Sequence, residues 1–169
     1  MSKKILVLTG SPNRDGNTNK MADAFIRGAE RAGHKAIKFE AAFKNLRGFT
    51  AATERDDFSE LELLLNSCDV IAIATPLYWF SFPAQLKAVI DQLDATPNNS
   101  MTIRESYLLV SGGETEREIY LPIESLYRTI GEFLGWQERG ILQAGGLDDR
   151  GAIDRSGLLA RAEEMGKNA

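Results

Sequence analysis

Five short segments of the chain have the hydrophobicity expected of strands, and helical patterns lie between them. Ile5–Thr9, Val70–Thr75 and Tyr107–Ser111 are nearly continuous apolar runs, which is typical of parallel strands buried on both faces. Lys35–Phe39 and Ile141–Ala144 are weaker and are interpreted as edge strands. Because strands 1, 3 and 4 are then interior, the pattern predicts an α/β fold with a five-stranded parallel sheet of order 2-1-3-4-5.

Apolar residues at helical spacing predict five helices between and after these strands. Their inner faces are Met21, Phe25, Ala29 and Ala32; Phe58, Leu61 and Leu65; Leu86, Val89, Ile90 and Leu93; Ile123, Leu126, Ile130 and Phe133; and Leu158, Leu159, Ala162 and Met165. Pro122 suits the first turn of the fourth helix, and Gly135 and Gly166 are placed to end the fourth and fifth. Residues 1–169 are expected to form one domain. The segment Ala41–Asp57 is the one long irregular connection, and its length suggests a role beyond linking.

Composition narrows the class of protein without indicating its chemistry. The net charge of −4 and pI near 5.1 argue against a nucleic-acid partner. The sequence has no basic run and no apolar stretch of about 20 residues, so a membrane partner is not expected. The single cysteine, Cys68, cannot form an internal disulfide, and this favours a cytoplasmic location. With one His and one Cys, a dedicated transition-metal site is not expected.

The loop after the first strand, Gly10–Thr18, is rich in glycine, hydroxyl and amide groups and leads into the first helix. Backbone amides and the positive end of the helix dipole make such a position suitable for an anion such as phosphate. Ser11, Asn17 and Thr18 could donate hydrogen bonds to it, and Arg14 could add a charge-assisted one. The alternative is a solvated turn in which Asn17 or Thr18 is an ordinary N-cap.

Two further loops follow interior strands and therefore meet the first loop at one edge of the sheet. The second loop, Pro76–Pro83, contains five apolar or aromatic side chains and could stack against a planar ring. Core packing or a dimer contact is the alternative for it. The third, Ser111–Glu114, contains two glycines that allow close approach of a ligand or form a plain turn.

With these motifs, the sequence resembles the flavodoxin-like NAD(P)H-dependent FMN reductases, especially the branch that includes iron–sulfur flavoproteins. Lys4–Pro12, Gly16–Thr18 and the long, specific Thr75–Lys87 carry the resemblance. It implies a flavodoxin-like three-layer sandwich with bound FMN. It further implies that Ser11, Asn13, Arg14, Asn17 and Thr18 hold the FMN phosphate, that Pro76, Leu77, Tyr78, Trp79 and Phe80 line the isoalloxazine, and that Ser111, Gly112, Gly113 and Glu114 close the other side. The related iron–sulfur proteins carry a cysteine cluster where Ala41–Asp57 has none, so an iron–sulfur cluster within one chain is excluded.

The resemblance implies hydride transfer from NAD(P)H to the flavin N5, followed by electron transfer to a quinone, a free flavin, a nitro compound or another small acceptor. No side-chain acid or base is assigned, because the cofactor carries this chemistry. Apolar residues around Trp79 and Phe80 favour a homodimer or homotetramer. Two alternatives stay open: a flavodoxin-type electron carrier without NAD(P)H turnover, and a binding module that has kept the fold without flavin.

Overall fold

The computed structural model describes residues 1–48, 56–93 and 101–169 of the chain. Its five strands are all parallel and have the order β2-β1-β3-β4-β5. They are β1 (Lys4–Thr9), β2 (Lys35–Glu40), β3 (Val70–Pro76), β4 (Glu105–Ser111) and β5 (Gln137–Ala144). The order predicted from hydrophobicity is therefore confirmed.

Five α-helices cover the two faces of this sheet and complete the predicted three-layer sandwich. They are α1 (Asn17–Arg31), α2 (Phe58–Leu65), α3 (Ala84–Gln92), α4 (Leu121–Leu134) and α5 (Leu158–Lys167). One apolar cluster packs α2, α3 and α4 against alternate residues of the strands, such as Leu6, Ile71 and Leu108. The residues between them, such as Ile5 and Leu109, face a second cluster formed with α1 and α5. This alternation explains why the interior strands are apolar on both faces.

Two residues that were predicted to lie on the inner faces of helices are exposed. Ala32 is exposed, because α1 ends at Arg31. Phe133 is 74% exposed, two residues before Gly135, which ends α4 with a φ of 72°. The glycine at the end of α4 is therefore confirmed as a left-handed C-cap.

Gly166 was expected to end the last helix, but this prediction is wrong. It lies inside α5, which continues to Lys167, and it is buried. A Cβ atom on Gly166 would lie 1.9 Å from the carbonyl oxygen of Phe25 in α1, and a Cβ on Gly28 would lie 1.8 Å from that of Glu163. These two glycines therefore allow the backbones of α1 and α5 to touch.

The long connection between β2 and α2 begins with a short 3₁₀ turn, Ala41–Phe43. Asp56 closes its far end, because its carboxylate accepts hydrogen bonds from the backbone amides of Arg47 and Phe58, both at 3.0 Å, and from Gln92 at 3.1 Å. Burial raises the pKa of Asp56, but these hydrogen bonds and the nearby Arg47 charge outweigh it, so the pKa is lowered. Residues 49–55 of this connection lie outside the described residues.

Tyr127 gives the fold a dependence on alkaline pH. Its hydroxyl is 2.8 Å from the hydroxyl of Ser106 beneath α4, and burial raises the pKa of Tyr127 to about 12 despite that hydrogen bond. Unfolded tyrosine ionises near pH 10, so the stabilisation is complete below pH ~10 and is lost as the pH rises toward ~12. Between pH ~8 and ~11 we expect the wild type to lose about 1.4 kcal/mol of unfolding free energy relative to Tyr127→Phe. Urea unfolding of both proteins measures this difference, and parallel pH profiles would contradict it.

Candidate functional site

A cavity of about 420 Å³ opens at the carboxyl end of the sheet, where ligands of open α/β sheets bind. Four loops surround it: the first (residues 10–16, after β1), the second (77–83, after β3), the third (112–116, after β4) and the fourth (145–151, after β5). The lining residues are Ser11, Asn13, Gly16, Asn17, Thr18, Pro76, Leu77, Tyr78, Ser111, Gly112, Gly113, Leu147, Asp148, Asp149 and Arg150. Its volume lies in the range of small-molecule and cofactor sites.

Backbone hydrogen bonds hold the second, third and fourth loops in fixed positions relative to one another. The amide of Leu77 donates to the carbonyl of Ser111 at 2.7 Å, and the amide of Leu147 donates to that of Gly112 at 3.0 Å. A Cβ on Gly113 would lie 2.3 Å from Asp148 Oδ1, so this glycine lets the Asp148 side chain pack against the third loop. Because its walls brace one another, the cavity is formed before any ligand arrives.

The N-terminus of α1 faces this cavity with free donors. Its N-cap is Gly16, which provides no side-chain cap, so the alternative in which Asn17 or Thr18 is the N-cap is wrong. No backbone or side-chain hydrogen bond to the amides of Asn17, Thr18 and Asn19 is found among the described residues. Three unpaired amides and the helix dipole together favour an anion at this position.

Three nearly buried hydroxyl groups lie beside these amides. Ser11 and Thr18 are each 3% exposed and Ser111 is 5% exposed. The hydroxyls of Thr18 and Ser111 are 2.6 Å apart, and one proton of that pair remains free to donate outward. Ser11 Oγ accepts a hydrogen bond from the Asn13 amide at 3.2 Å, which also leaves its proton free. The donor set therefore fits a phosphate group.

Asn17 lines the cavity, but its side chain is fully hydrogen-bonded to the fourth loop and the turn after it. Its amide nitrogen donates to the carbonyls of Leu147, at 3.3 Å, and Asp149, at 2.9 Å. Its oxygen accepts from the amides of Gly151, at 3.0 Å, and Ile153, at 3.3 Å. The side chain thus fixes one wall of the cavity, and only its backbone amide stays available to a ligand.

Arg14 projects away from the cavity. Its guanidinium carbon lies 3.9 Å from the centroid of the Phe43 ring, and its Nε is 3.8 Å from the carboxylate of Glu40. Arg14 is absent from the lining, as are Trp79, Phe80 and Glu114 among the other residues predicted for the site. Their part in ligand binding stays a prediction.

The second loop forms a rigid aromatic turn at the edge of the cavity. Tyr78 and Ser81 exchange two backbone hydrogen bonds, of 3.1 and 3.0 Å, around Trp79 and Phe80, whose φ angles are 49° and 63°. Two central residues with positive φ define a type I′ turn, which glycine and asparagine usually supply, so bulky aromatic residues here are strained. The turn leaves Trp79 92% exposed beside Tyr78, which is 44% exposed.

The fourth loop is the part of the site that the sequence interpretation missed. Leu147, Asp148, Asp149 and Arg150 all line the cavity, yet this segment has no apolar pattern. The Gly145-Gly146 pair directly after β5 was an available signal, since it follows a fourth parallel strand whose end reaches the same edge.

Tyr120 supports the third loop from below. Its hydroxyl donates to the carbonyl of Glu114 at 2.8 Å, and a Cβ on Gly112 would lie 2.7 Å from that hydroxyl. Burial, and then the nearby carboxylates of Glu114, Asp148 and Glu116, raise the pKa of Tyr120. The tyrosine is therefore a neutral structural donor, and the lining holds no histidine, cysteine or lysine that would act as a base or nucleophile. The arrangement is suited to binding a phosphate-bearing planar molecule.

The described residues provide neither a membrane-spanning helix nor a cluster of metal ligands. Within the described ranges, no helix is both long and apolar enough to cross a membrane. The same residues contain no group of three or more His, Cys, Asp or Glu placed to hold a metal ion. Cys68 is fully buried, and burial raises the pKa of its thiol.

Comparison with known proteins relates this chain to flavin enzymes. A family model described as NADPH-dependent FMN reductase matches residues 3–120. The Bacillus subtilis protein YwqN, named provisionally as an NAD(P)H-dependent FMN-containing oxidoreductase, is 25% identical in an alignment of 182 positions that covers 96% of this chain and 99% of YwqN.

Two further relatives have related names. The iron-sulfur flavoprotein of Archaeoglobus fulgidus is 30% identical in an alignment of 99 positions that covers 53% of this chain but only 45% of that protein. The structure of an NAD(P)H:quinone oxidoreductase from Methanothermobacter marburgensis superposes with a TM-score of 0.82 at 21% identity, covering 99% of this chain and 96% of that one. At that identity the superposition shows a shared fold.

Proposed function

Because the chain belongs to the NADPH-dependent FMN reductase family, we propose that its cavity binds FMN and that it transfers electrons from NAD(P)H to a small planar acceptor such as a quinone. Bound FMN supplies hydride acceptance and electron transfer to the acceptor. The protein then has to bind the cofactor, orient it and leave one ring face accessible. The cradle of unpaired amides at the start of α1 and the hydroxyls of Ser11 and Thr18 is the observation that carries this proposal.

Each group of lining residues has a part in this proposal. The amides of 17–19 and the hydroxyls of Ser11, Thr18 and Ser111 would hold the phosphate. Pro76, Leu77 and Tyr78, together with the third loop, would line the ring system. The fourth loop would close the remaining side, since Asp148 packs against Gly113.

A quinone is proposed as acceptor because the site leaves aromatic surface open to solvent. Tyr78 lines the cavity and is 44% exposed, and aromatic faces favour stacking with planar rings. Two electrons and two protons convert a quinone to a quinol, so hydride from NAD(P)H and one solvent proton complete the balance. The quinone in the name of the Methanothermobacter relative agrees with this choice.

A visible spectrum of the purified protein tests the proposal. The protein is mixed with FMN, desalted and titrated anaerobically with NADPH or NADH, and a quinone is added last. We expect the flavin band to survive desalting, to bleach with NAD(P)H and to return with the quinone. A band that NAD(P)H does not bleach would indicate an electron carrier instead. Colourless protein after desalting would indicate that the fold no longer holds flavin.

We also propose that a second copy of the chain covers the aromatic turn at Trp79. The turn is held by two hydrogen bonds and exposes Trp79 almost completely, and an exposed aromatic cluster is typical of an interface. Light scattering of the wild type is expected to give a dimer or tetramer, and Trp79→Ser is expected to shift it toward monomer. A wild type that is monomeric with FMN bound would contradict this.

A further inference from the structure

We propose that Arg150 neutralises the phosphate of the bound ligand and that it exchanges Asp15 for the phosphate when the ligand binds. The inference rests on the proposed function, since the phosphate is that of FMN. It assigns the charged contact to the fourth loop, and not to Arg14 of the first loop.

The charges that line the cavity require a cation. Asp148 and Asp149 contribute two carboxylates, and Arg150 is the only basic residue among the described residues of the lining. A phosphate dianion placed among them would be repelled by both carboxylates. Arg150 offsets that repulsion, and its guanidinium suits the two-oxygen contact that phosphate offers.

Arg14 already has two interaction partners outside the cavity. It packs on the Phe43 ring at 3.9 Å and pairs with Glu40 at 3.8 Å; Glu40 is the last residue of β2, and Phe43 lies in the 3₁₀ turn that follows it. A cation that stacks on an aromatic face gains more than a solvated charge. Moving Arg14 to the cradle would sacrifice both contacts.

Arg150, in contrast, has only a weak ion-pair partner. Its Nη2 is 3.6 Å from Asp15 Oδ2, and the two side chains are 66% and 87% exposed. Exposed ion pairs of this kind add little stability. Asp15 directly precedes Gly16, the N-cap of α1, so the pair already places Arg150 beside the free amides. A phosphate bound at those amides competes with Asp15 for the same guanidinium.

Affinities for FMN and riboflavin separate this role from a general structural one, because the two ligands differ only in the phosphate. The wild type, Arg150→Gln, Arg14→Gln and Asp15→Asn are titrated with each flavin at low and at moderate salt. For Arg150→Gln we expect about a tenfold higher Kd for FMN, an unchanged Kd for riboflavin and a weaker salt dependence for FMN. Arg14→Gln is the matched control and is expected to change the FMN Kd by less than about twofold. Asp15→Asn is expected to tighten FMN binding a few-fold, because the competitor for Arg150 is removed.

The outcomes distinguish a failure of the proposed function from a failure of the role assigned to Arg150. A wild type that binds neither flavin would contradict the proposed function itself. If the wild type binds FMN but Arg150→Gln weakens both flavins equally, Arg150 only shapes the loop and the inference is wrong. The inference is also wrong if Arg14→Gln has the larger effect on FMN. A changed preference between NADPH and NADH, with an unchanged FMN Kd, would assign Arg150 to the phosphate of the dinucleotide and would overturn it as stated.

Discussion

Replacing Gly28 with alanine is expected to lower the unfolding free energy by at least about 3 kcal/mol. The added Cβ would lie 1.8 Å from the carbonyl oxygen of Glu163 and 2.9 Å from the backbone nitrogen of Lys167. These are backbone atoms, which cannot rotate away as a side chain would, so α1 and α5 must move apart along their whole contact. The separation opens the core on this face, where Phe25 and Ala162 are fully buried.

Gly131 provides a matched control for this substitution. It lies inside α4 and is buried, but the nearest atom to an added Cβ is the carbonyl oxygen of Trp136, at 3.8 Å. Alanine at Gly131 is therefore expected to be neutral or to stabilise by up to about 1 kcal/mol, through helix propensity. Urea unfolding of both variants measures the difference. Equal stabilities would show that α1 and α5 can separate without loss of packing.

Gly28 and Gly166 have a packing role that the sequence pattern alone does not reveal. A glycine near the end of a helical pattern is typical of a C-cap, and Gly135 follows that rule, with a φ of 72°. Gly166 occupies an equivalent position in the pattern, yet its structural role depends on α1, about 140 residues earlier in the chain. Spacing alone does not distinguish a glycine that ends a helix from one that allows another helix to approach.

The strand order could be predicted because it depends on a property of each segment. Three strands are buried on both faces and therefore have continuous apolar sequences, whereas β2 alternates. Once the order was known, topology brought the first three loops to one edge of the sheet. Side-chain direction did not follow from topology. The orientation of Arg14 depends on Phe43 and Glu40, which are distant in sequence, and the polar fourth loop carries no periodic signal.

Asn17 illustrates the same limit within the site, and its structure leads to the second large expected effect. Its residue type and position suggested a phosphate donor, but the structure assigns its side chain to the fourth loop through two donated and two accepted hydrogen bonds. We therefore expect Asn17 to act on the ligand indirectly, as a residue that positions Leu147 and Asp149. A variant that keeps its shape and removes only the donated bonds is the sharpest test of this role.

Asn17→Asp is expected to raise the Kd for FMN by about 30-fold or more while the chain stays folded. Aspartate has nearly the same shape, but when ionised it donates no hydrogen bond. A negative oxygen would then face the carbonyls of Leu147 and Asp149, which accept bonds at 3.3 and 2.9 Å in the wild type. Each lost hydrogen-bond partner and the added repulsion cost about 1–3 kcal/mol. A 30-fold weaker Kd corresponds to about 2 kcal/mol, so these costs together are large enough to produce it. Because the aspartate regains one donor when it is protonated, lower pH should restore part of the affinity.

Asn168→Asp is the control for the same chemical change at a distance from the cavity. The Asn168 amide donates to the carbonyl of Glu164 at 2.9 Å, at the exposed end of α5, and Asn168 is not among the residues that line the cavity. FMN and riboflavin titrations of both variants, with circular dichroism to confirm folding, separate the two sites. An Asn17→Asp protein that binds FMN as tightly as Asn168→Asp does would show that the fourth loop keeps its position without this residue. A loss of affinity for FMN and riboflavin alike, confined to Asn17→Asp, would indicate that the fourth loop closes the flavin site and that α1 holds it in place, because riboflavin has no phosphate for the new carboxylate to repel.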